Sequence, residues 1–388
     1  MMIFQHEELA SLAAEMFQAA GCQPEEATRV AEHLVGANLV GHDSHGVIRI
    51  PSYIDWLRDG KVFANKSIRI LSDNDSLAVV DGQFGLGQTI GEEAMRLGID
   101  KSSGQGVSVV ALRNSGHLGR IGDWAEMAAR AGRISLHFVN TSGAGMLVAP
   151  FGGIERRLSA NPISVGVPQE SEPPIVLDMS ACTIAEGKIR VALNRGTTVP
   201  DGCLIDSEGR PTNEPRVFYG EPPGAILPIA GHKGSGLSFI IEMLAGALTG
   251  GSCTNPENSW RVVNSMLSIF IDPGALASAG DFFPEIQRFI GFVKSSRTVA
   301  DGGEILIPGE IEQRTRTRRL QQGIELDDVT WGQMCDTCRS LNVEHEFPQP
   351  ESSATADGKR PLSIPGVSPS GPVAGENTPA SSSASPLD

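Results

Sequence analysis

Apolar positions along the chain recur first at helical and then at strand spacing. Leu9, Leu12, Ala13, Met16 and Phe17 fall on one face of a predicted helix over 7–20, which stops at Gly21. Pro24 opens a second amphipathic run that ends at Gly41, at a position where its missing N–H costs nothing. A third predicted helix covers 47–59 and follows the polar segment His42-Asp43-Ser44-His45-Gly46. From there β-rich runs alternate with helices. The pattern predicts strands at 67–71, 77–81, 107–112, 134–139, 163–168, 175–178 and 266–271. It predicts helices at 88–101, 121–131, 183–194, 234–248, 284–295, 311–322 and 327–341. Residues 200–228, rich in Gly and Pro, read as a long loop or hairpin. The alternation indicates an α/β core with some parallel pairing, and no internal repeat is visible.

Composition changes that picture at one end. From about Phe347 the chain is dominated by Pro, Ser, Ala and Gly, with too little apolar surface to offset its chain entropy, and reads as a disordered tail. The organisation expected is an N-terminal helical region (1–66), an α/β core with C-terminal helices (67–345) and the tail (346–388). The 388 residues carry 31 Lys and Arg against 46 Asp and Glu, a formal charge of −15, and no basic run, which argues against a nucleic-acid partner. The start MMIFQHEELA has no basic n-region or apolar h-region, and no stretch approaches the length of a membrane helix, so the expected location is cytoplasmic, without membrane association. Six scattered cysteines do not suggest a disulfide framework. The lone Cys335-x-x-Cys338 has no second pair to complete a zinc site.

Candidate chemistry clusters at element ends. Gly85, Gly87 and Gly91 follow a strand and open a helix, but the spacing is GxGxxxG, with Ile90 where a dinucleotide fingerprint has its third glycine, and no acid ends the next strand. Gly231 to Gly236, GHKGSG, lacks the order of a P-loop. His42 and His45 have no obvious third metal ligand, so no metal is expected. Asp43 and Ser44 could cap the next helix, yet capping leaves two histidines and Arg49 at the same helix start unexplained. Arg113 to Arg120, RNSGHLGR, sits where a buried strand gives way to a helix. It thus combines His117, Arg120 and free helix N–H groups at the end of a sheet where ligands bind. Asp178 ends the strand Val176-Leu177-Asp178 before Met179 and Ser180, placed either to cap a helix or to hold a histidine. His232 and Lys233 open an apolar helix among glycines that permit close approach to the backbone.

Taken together, GHDSHGVIRIPSYI, NSGHLGRIGDWAE, VAPFGG, SANPI, LDMS with the downstream GKIRVA, PDGCLID, GHKGSGLS and IPGE resemble the malate/L-lactate dehydrogenase family that lacks a Rossmann fold. The wording is that of its hydroxycarboxylate dehydrogenase B type. The resemblance implies an α/β fold like that of L-sulfolactate dehydrogenase: a mixed sheet with helices on both faces and an N-terminal helical region. It implies an NAD- or NADP-dependent oxidoreductase of small 2-oxo and 2-hydroxy acids, usually a homodimer. By motif, His117 would be the acid/base residue, Asp178 its catalytic partner and a lining of the cofactor site, and Arg49 with Ser44 the carboxylate-binding pair. The cofactor-contact positions would be His45, Gly119, Arg120, Ile121, Thr141, Val176, Leu177, Met179, Ser180, His232, Lys233, Asn264, Gly309, Glu310, Ile311 and Glu312. In an acidic chain, Arg49, Arg120, Lys233 and several histidines would supply the local positive charge.

Three features depart from the family's pattern: SANPI in place of the commoner GTNP, Ala181 and Cys182 after LDMS, and the tail. Two alternatives within the family are reduction of a cyclic imine-2-carboxylate and dehydrogenation of malate, ureidoglycolate or sulfolactate. A ligand-binding protein on a degenerate scaffold is disfavoured by the presence of His117, Arg49 and Asp178.

Overall fold

The computed structural model describes residues 2–258, 260–300 and 302–344, and the tail expected from residue 346 lies outside them. The first amphipathic runs form α1 (His6–Ala19), α2 (Pro24–Leu39) and α3 (Ile50–Arg58), with two 3₁₀ turns, Asp43–His45 and Val47–Arg49, before α3. Their apolar stripes share one core with the terminal helix Asp328–Leu341, in which Leu12, Phe17, Leu34 and Tyr53 pack in the same cluster as Trp331 and Met334. Cys335 and Cys338 are buried in that core as small apolar residues. Strands Met2–Phe4 and Ile324–Leu326, too short to show a period in sequence, pair antiparallel and tie the N-terminal segment to the stretch before the helix Asp328–Leu341.

Seven strands make the central sheet: β1 (Arg69–Asp73), β2 (Leu77–Asp81), β3 (Val107–Ser115), β4 (Ile134–Gly143), β5 (Ile163–Val167), β6 (Ile175–Met179) and β7 (Val262–Ile271). Their spatial order is β1-β2-β3-β7-β4-β5-β6. Only β2 and β3 run parallel, joined by α4 (Gly87–Gln105), and every other neighbour is antiparallel. This is the expected mixed sheet and not a doubly wound parallel one.

Alternation along the strands gives the sheet two unlike faces. Val110, Leu112, Val139, Met266 and Phe270 are buried beneath α4 and α5 (Gly122–Arg130). Gly91 and Gly98 let α4 lie close, since a Cβ there would run into the rings of Trp124 and Phe270. The other face carries Val107, Val109, Leu136, Phe138, Val165 and Leu177, which are only partly covered. On that side α7 (His232–Ile241) and its π-helical continuation Glu242–Ala247 reach the sheet through Glu242, which accepts from Asn140 Nδ2 at 3.0 Å.

β3, β4 and β7 run three or four residues beyond their predicted ends, and the added residues are mostly polar: Arg113, Asn114 and Ser115, Asn140 to Ser142, and Asn264 and Ser265. Polar side chains break the apolar run that marks a strand in sequence. In the sheet they bond to one another, with Asn264 opposite both Ser115 and Thr141. The stretch 200–228 contributes a small three-stranded sheet, Leu204–Ile205, Pro211–Thr212 and Ala225–Ile226. No described helix is long and apolar enough to cross a membrane.

Candidate active site

Beyond β3 the chain turns through Gly116, His117, Leu118 and Gly119. The glycine-rich start of α4 forms the bed of this turn: Gly116 N–H donates to Gly85 O at 2.8 Å, and a Cβ on Gly87 would overlap the His117 carbonyl. These glycines therefore serve a close backbone approach to His117, which accounts for a spacing unlike that of a dinucleotide fingerprint. On the opposite side Asn264 Oδ1 accepts from Leu118 N–H at 2.8 Å, while Nδ2 donates to Thr141 Oγ1 at 2.9 Å and to the Asn140 carbonyl at 3.0 Å. Asn264 and Thr141, both from the polar strand extensions, thus clamp the loop.

The ring of His117 meets the N-terminal helices. Arg49 immediately precedes α3 and Tyr53 lies four residues on, a spacing that puts both on one helix face. The Tyr53 hydroxyl is 2.6 Å from His117 Nδ1 and also receives Gln88 Nε2–H at 3.3 Å. His45 stacks on His117 with centroids 5.6 Å apart, and Ser44 Oγ is 3.0 Å from His45 Nδ1. Arg49 donates through Nε to Ser44 O at 2.7 Å and through Nη2 to Glu186 at 3.3 Å. Burial, then the positive charge of Arg49, pulls the His117 pKa down to about 3, partly opposed by Glu186. Burial and its positive neighbours also hold His45 well below its usual value. Burial pushes the Tyr53 phenol up to about 12, so it keeps its proton.

Asp178 stands apart from His117 Nδ1, whose partner is Tyr53. Its Oδ2 accepts from Gly122 N–H, at the start of α5, at 2.9 Å and lies 3.7 Å from Arg120 Nε. Arg120 also pairs with Asp123 at 2.6 Å and Glu126 at 3.4 Å and is only 4% exposed. Although burial opposes it, Asp123, Asp178 and Glu126 raise the Arg120 pKa. The positive charge expected of Arg120 toward an anionic ligand is thus shared with three carboxylates. The histidines of the site add little to it, because burial keeps His117 and His45 neutral at pH 7.

The remaining predicted positions fall in two groups. Glu312 lies 3.4 Å from His42 Nε2, and Gly309, at φ +95°, sits against the backbone of Val176. Glu310 pairs with Lys294, and Ile311 is exposed. Val176 and Asp178 point to the covered face of the sheet and Leu177 to the other. Ile121 is buried in the α4/α5 core. His232 and Lys233 form the exposed first turn of α7, whose Gly234 packs on the Ala181 carbonyl just beyond Met179 and Ser180. Lys233 has no ion-pair partner among the described residues, and Gly236 faces open space. An unpaired cation and an unobstructed glycine at the exposed start of a helix suit a dinucleotide phosphate. Among the described residues no three metal-ligating side chains converge.

Sequence reasoning missed Tyr53, Gln88 and Glu186. The spacing of Tyr53 from Arg49 was a usable signal, whereas Gln88 and Glu186 reach the site only through the packing of α4 and α6 (Glu186–Arg195).

Comparison with known proteins agrees with this arrangement. The malate/L-lactate dehydrogenase family matches residues 4–335. Hydroxycarboxylate dehydrogenase B of Escherichia coli K12 is 41% identical over 347 residues, covering 88% of this chain and 95% of that protein. The solved structure of a putative malate/lactate dehydrogenase from E. coli superposes with a TM-score of 0.84 at 40% identity, over 88% of this chain and 96% of that one. Sulfolactate dehydrogenase from Methanocaldococcus jannaschii superposes at 0.78 with 35% identity, over 88% and 98%. The chain belongs to the malate/L-lactate dehydrogenase family, oxidoreductases of the CH–OH group of 2-hydroxy acids, and has its non-Rossmann fold.

Proposed function

We propose that this protein interconverts a small 2-oxo acid of the hydroxypyruvate, pyruvate or phenylpyruvate type and its 2-hydroxy acid, with NAD or NADP as cofactor. One observation carries the reading: a guanidinium with unspent N–H groups, Arg49, lies near enough to an imidazole, His117, for its charge to lower the imidazole pKa, with Tyr53 of α3 bonded to that imidazole.

When bound, the dinucleotide supplies or accepts the hydride, and His232 and Lys233, with Met179 and Ser180 nearby, would hold it. The chain's own residues do the rest. Arg49, already anchored by Ser44 O and Glu186, offers its remaining N–H fork to the substrate carboxylate. That carboxylate offsets the charge that helps hold His117 neutral, so it lifts the histidine toward its ordinary range and favours the protonated form. In reduction His117 gives its Nε2 proton to the carbonyl oxygen, and in oxidation it takes the proton back. Tyr53 can donate to Nδ1 or accept from it, so it keeps the ring oriented in either charge state.

We also infer a homodimer, supported by the partly covered sheet face and by Phe239 and Leu248 beside it, 57% and 65% exposed. Size-exclusion chromatography with light scattering would return twice the chain mass.

The activity is tested by assaying hydroxypyruvate, pyruvate, phenylpyruvate and piperideine-2-carboxylate with NADH and NADPH. Turnover of one or more of the oxo acids is expected. Activity confined to the imine would replace the reading with imine reduction, and cofactor binding without turnover would sink both.

A further inference from the structure

Arg49 shares its end of the pocket with a carboxylate. Glu186 opens α6, accepts from Arg49 through Oε2 at 3.3 Å, and through Oε1 accepts from Arg190 Nη2 at 2.8 Å, Arg190 Nε at 3.2 Å and the Tyr219 hydroxyl at 2.8 Å. These donors hold it ionised: burial opposes, but Arg49, Arg190 and Tyr219 bring its pKa down to about 2. Both Arg49 and Glu186 act electrostatically on His117. A substrate bound between Arg49 and His117 therefore lies within the field of Glu186.

We propose that Glu186 restricts this site to 2-oxo acids whose C3 substituent bears no negative charge. The inference rests on the 2-oxo acid reading above and narrows its substrate class. Arg49 has one unit of charge and an open edge for the C1 carboxylate. Arg190, the next cation, has Nε and Nη2 committed to Glu186. A carboxylate or sulfonate on C3 would meet a fixed negative charge with both guanidiniums already engaged, whereas a hydrogen, hydroxyl or aryl group meets no such repulsion. Selectivity by like-charge exclusion needs no contact specific to the favoured substrate.

The test compares kcat/KM for pyruvate and hydroxypyruvate with that for oxaloacetate in the wild type, Glu186→Gln and Glu186→Asp. The wild type should prefer the monocarboxylates by about 100-fold. Glu186→Gln keeps an acceptor for Arg190 and Tyr219 but removes the charge, and should narrow that preference by about 10-fold or more. Glu186→Asp keeps the charge and should retain most of it. A wild type that uses oxaloacetate as well as pyruvate overturns the inference, as does a folded Glu186→Gln enzyme with an unchanged ratio. If Glu186→Gln does not fold, the wild-type ratio decides alone. A wild type that turns over no 2-oxo acid overturns the functional reading itself, which is a distinct result from a working enzyme with the wrong selectivity.

Discussion

Arg49 and Arg120 stand at two sides of the same region, and their surroundings differ in one respect. Arg49 meets one carboxylate, Glu186, and one backbone carbonyl, while Arg120 meets Asp123, Glu126 and Asp178 within 4 Å. The first keeps donors for a ligand; the second is a strut that joins β6 to the start of α5. For an acidic chain the difference matters, because the charge able to attract an anion is what remains unpaired, not the number of cations in a motif. By that measure Lys233 is a local attractor, while Arg49, paired with Glu186 alone among the described residues, keeps N–H donors for a ligand.

The largest effect that could break this contrast is on stability. Arg120→Met takes the arginine from Asp178 and leaves Asp123 and Glu126 to His33 and Arg130 alone, and should cost about 3–5 kcal/mol, read as a lowered denaturation midpoint. If the midpoint held while KM for the cofactor rose, Arg120 would be a ligand-binding residue after all. Arg49→Lys should do the reverse, with stability nearly kept and kcat/KM for the oxo acid reduced by about 10- to 100-fold, since an ammonium cannot present a planar fork. Equal losses of stability in the two variants would erase the distinction.

Tyr53→Phe probes the contact that distinguishes the Arg49 side. Phenylalanine keeps the stacking with Trp56 and the packing with Phe17, but frees His117 Nδ1. We expect kcat to fall about 10-fold with KM little changed, the loss of one orienting hydrogen bond of about 1.4 kcal/mol. A change confined to KM would make Tyr53 a wall of the pocket and nothing more.

How much of this was legible follows the same division between local and long-range partners. The apolar halves of β3, β4 and β7 and the stripes of α1 to α3 announce themselves because burial is encoded in their period. The polar extensions that carry Asn264 and Thr141 do not, because their hydrogen bonds are to other strands. His117 and Arg49 were found by motif. The pairing of Arg120 with Asp123, three residues on, was within reach of helix spacing, whereas its contact with Asp178 spans the fold. Glu186 was one of 46 acidic residues in the sequence, inside a correctly predicted helix, and nothing local marks it.

The smallest effect sharpens the comparison most. If the charge of Arg49 helps hold His117 neutral, offsetting it with a bound carboxylate should make the histidine a better base. Oxamate, an uncharged-tailed analogue of a 2-oxo acid, should then bind with uptake of a fraction of a proton. The sign follows from linkage: a ligand that raises a pKa binds more tightly as pH falls toward that raised value. His117 starts at about 3 because of burial and Arg49, so uptake should be small at pH 8 and grow toward pH 6. Calorimetric titration of the cofactor-bound protein in buffers of different ionisation enthalpy measures it directly. The same titration with Arg120→Met, if that variant folds, should show similar uptake, because the Arg120 charge is already balanced and is not among the causes that depress His117. Uptake that vanished in Arg120→Met but survived in Arg49→Lys would show that the two arginines had been assigned the wrong way round.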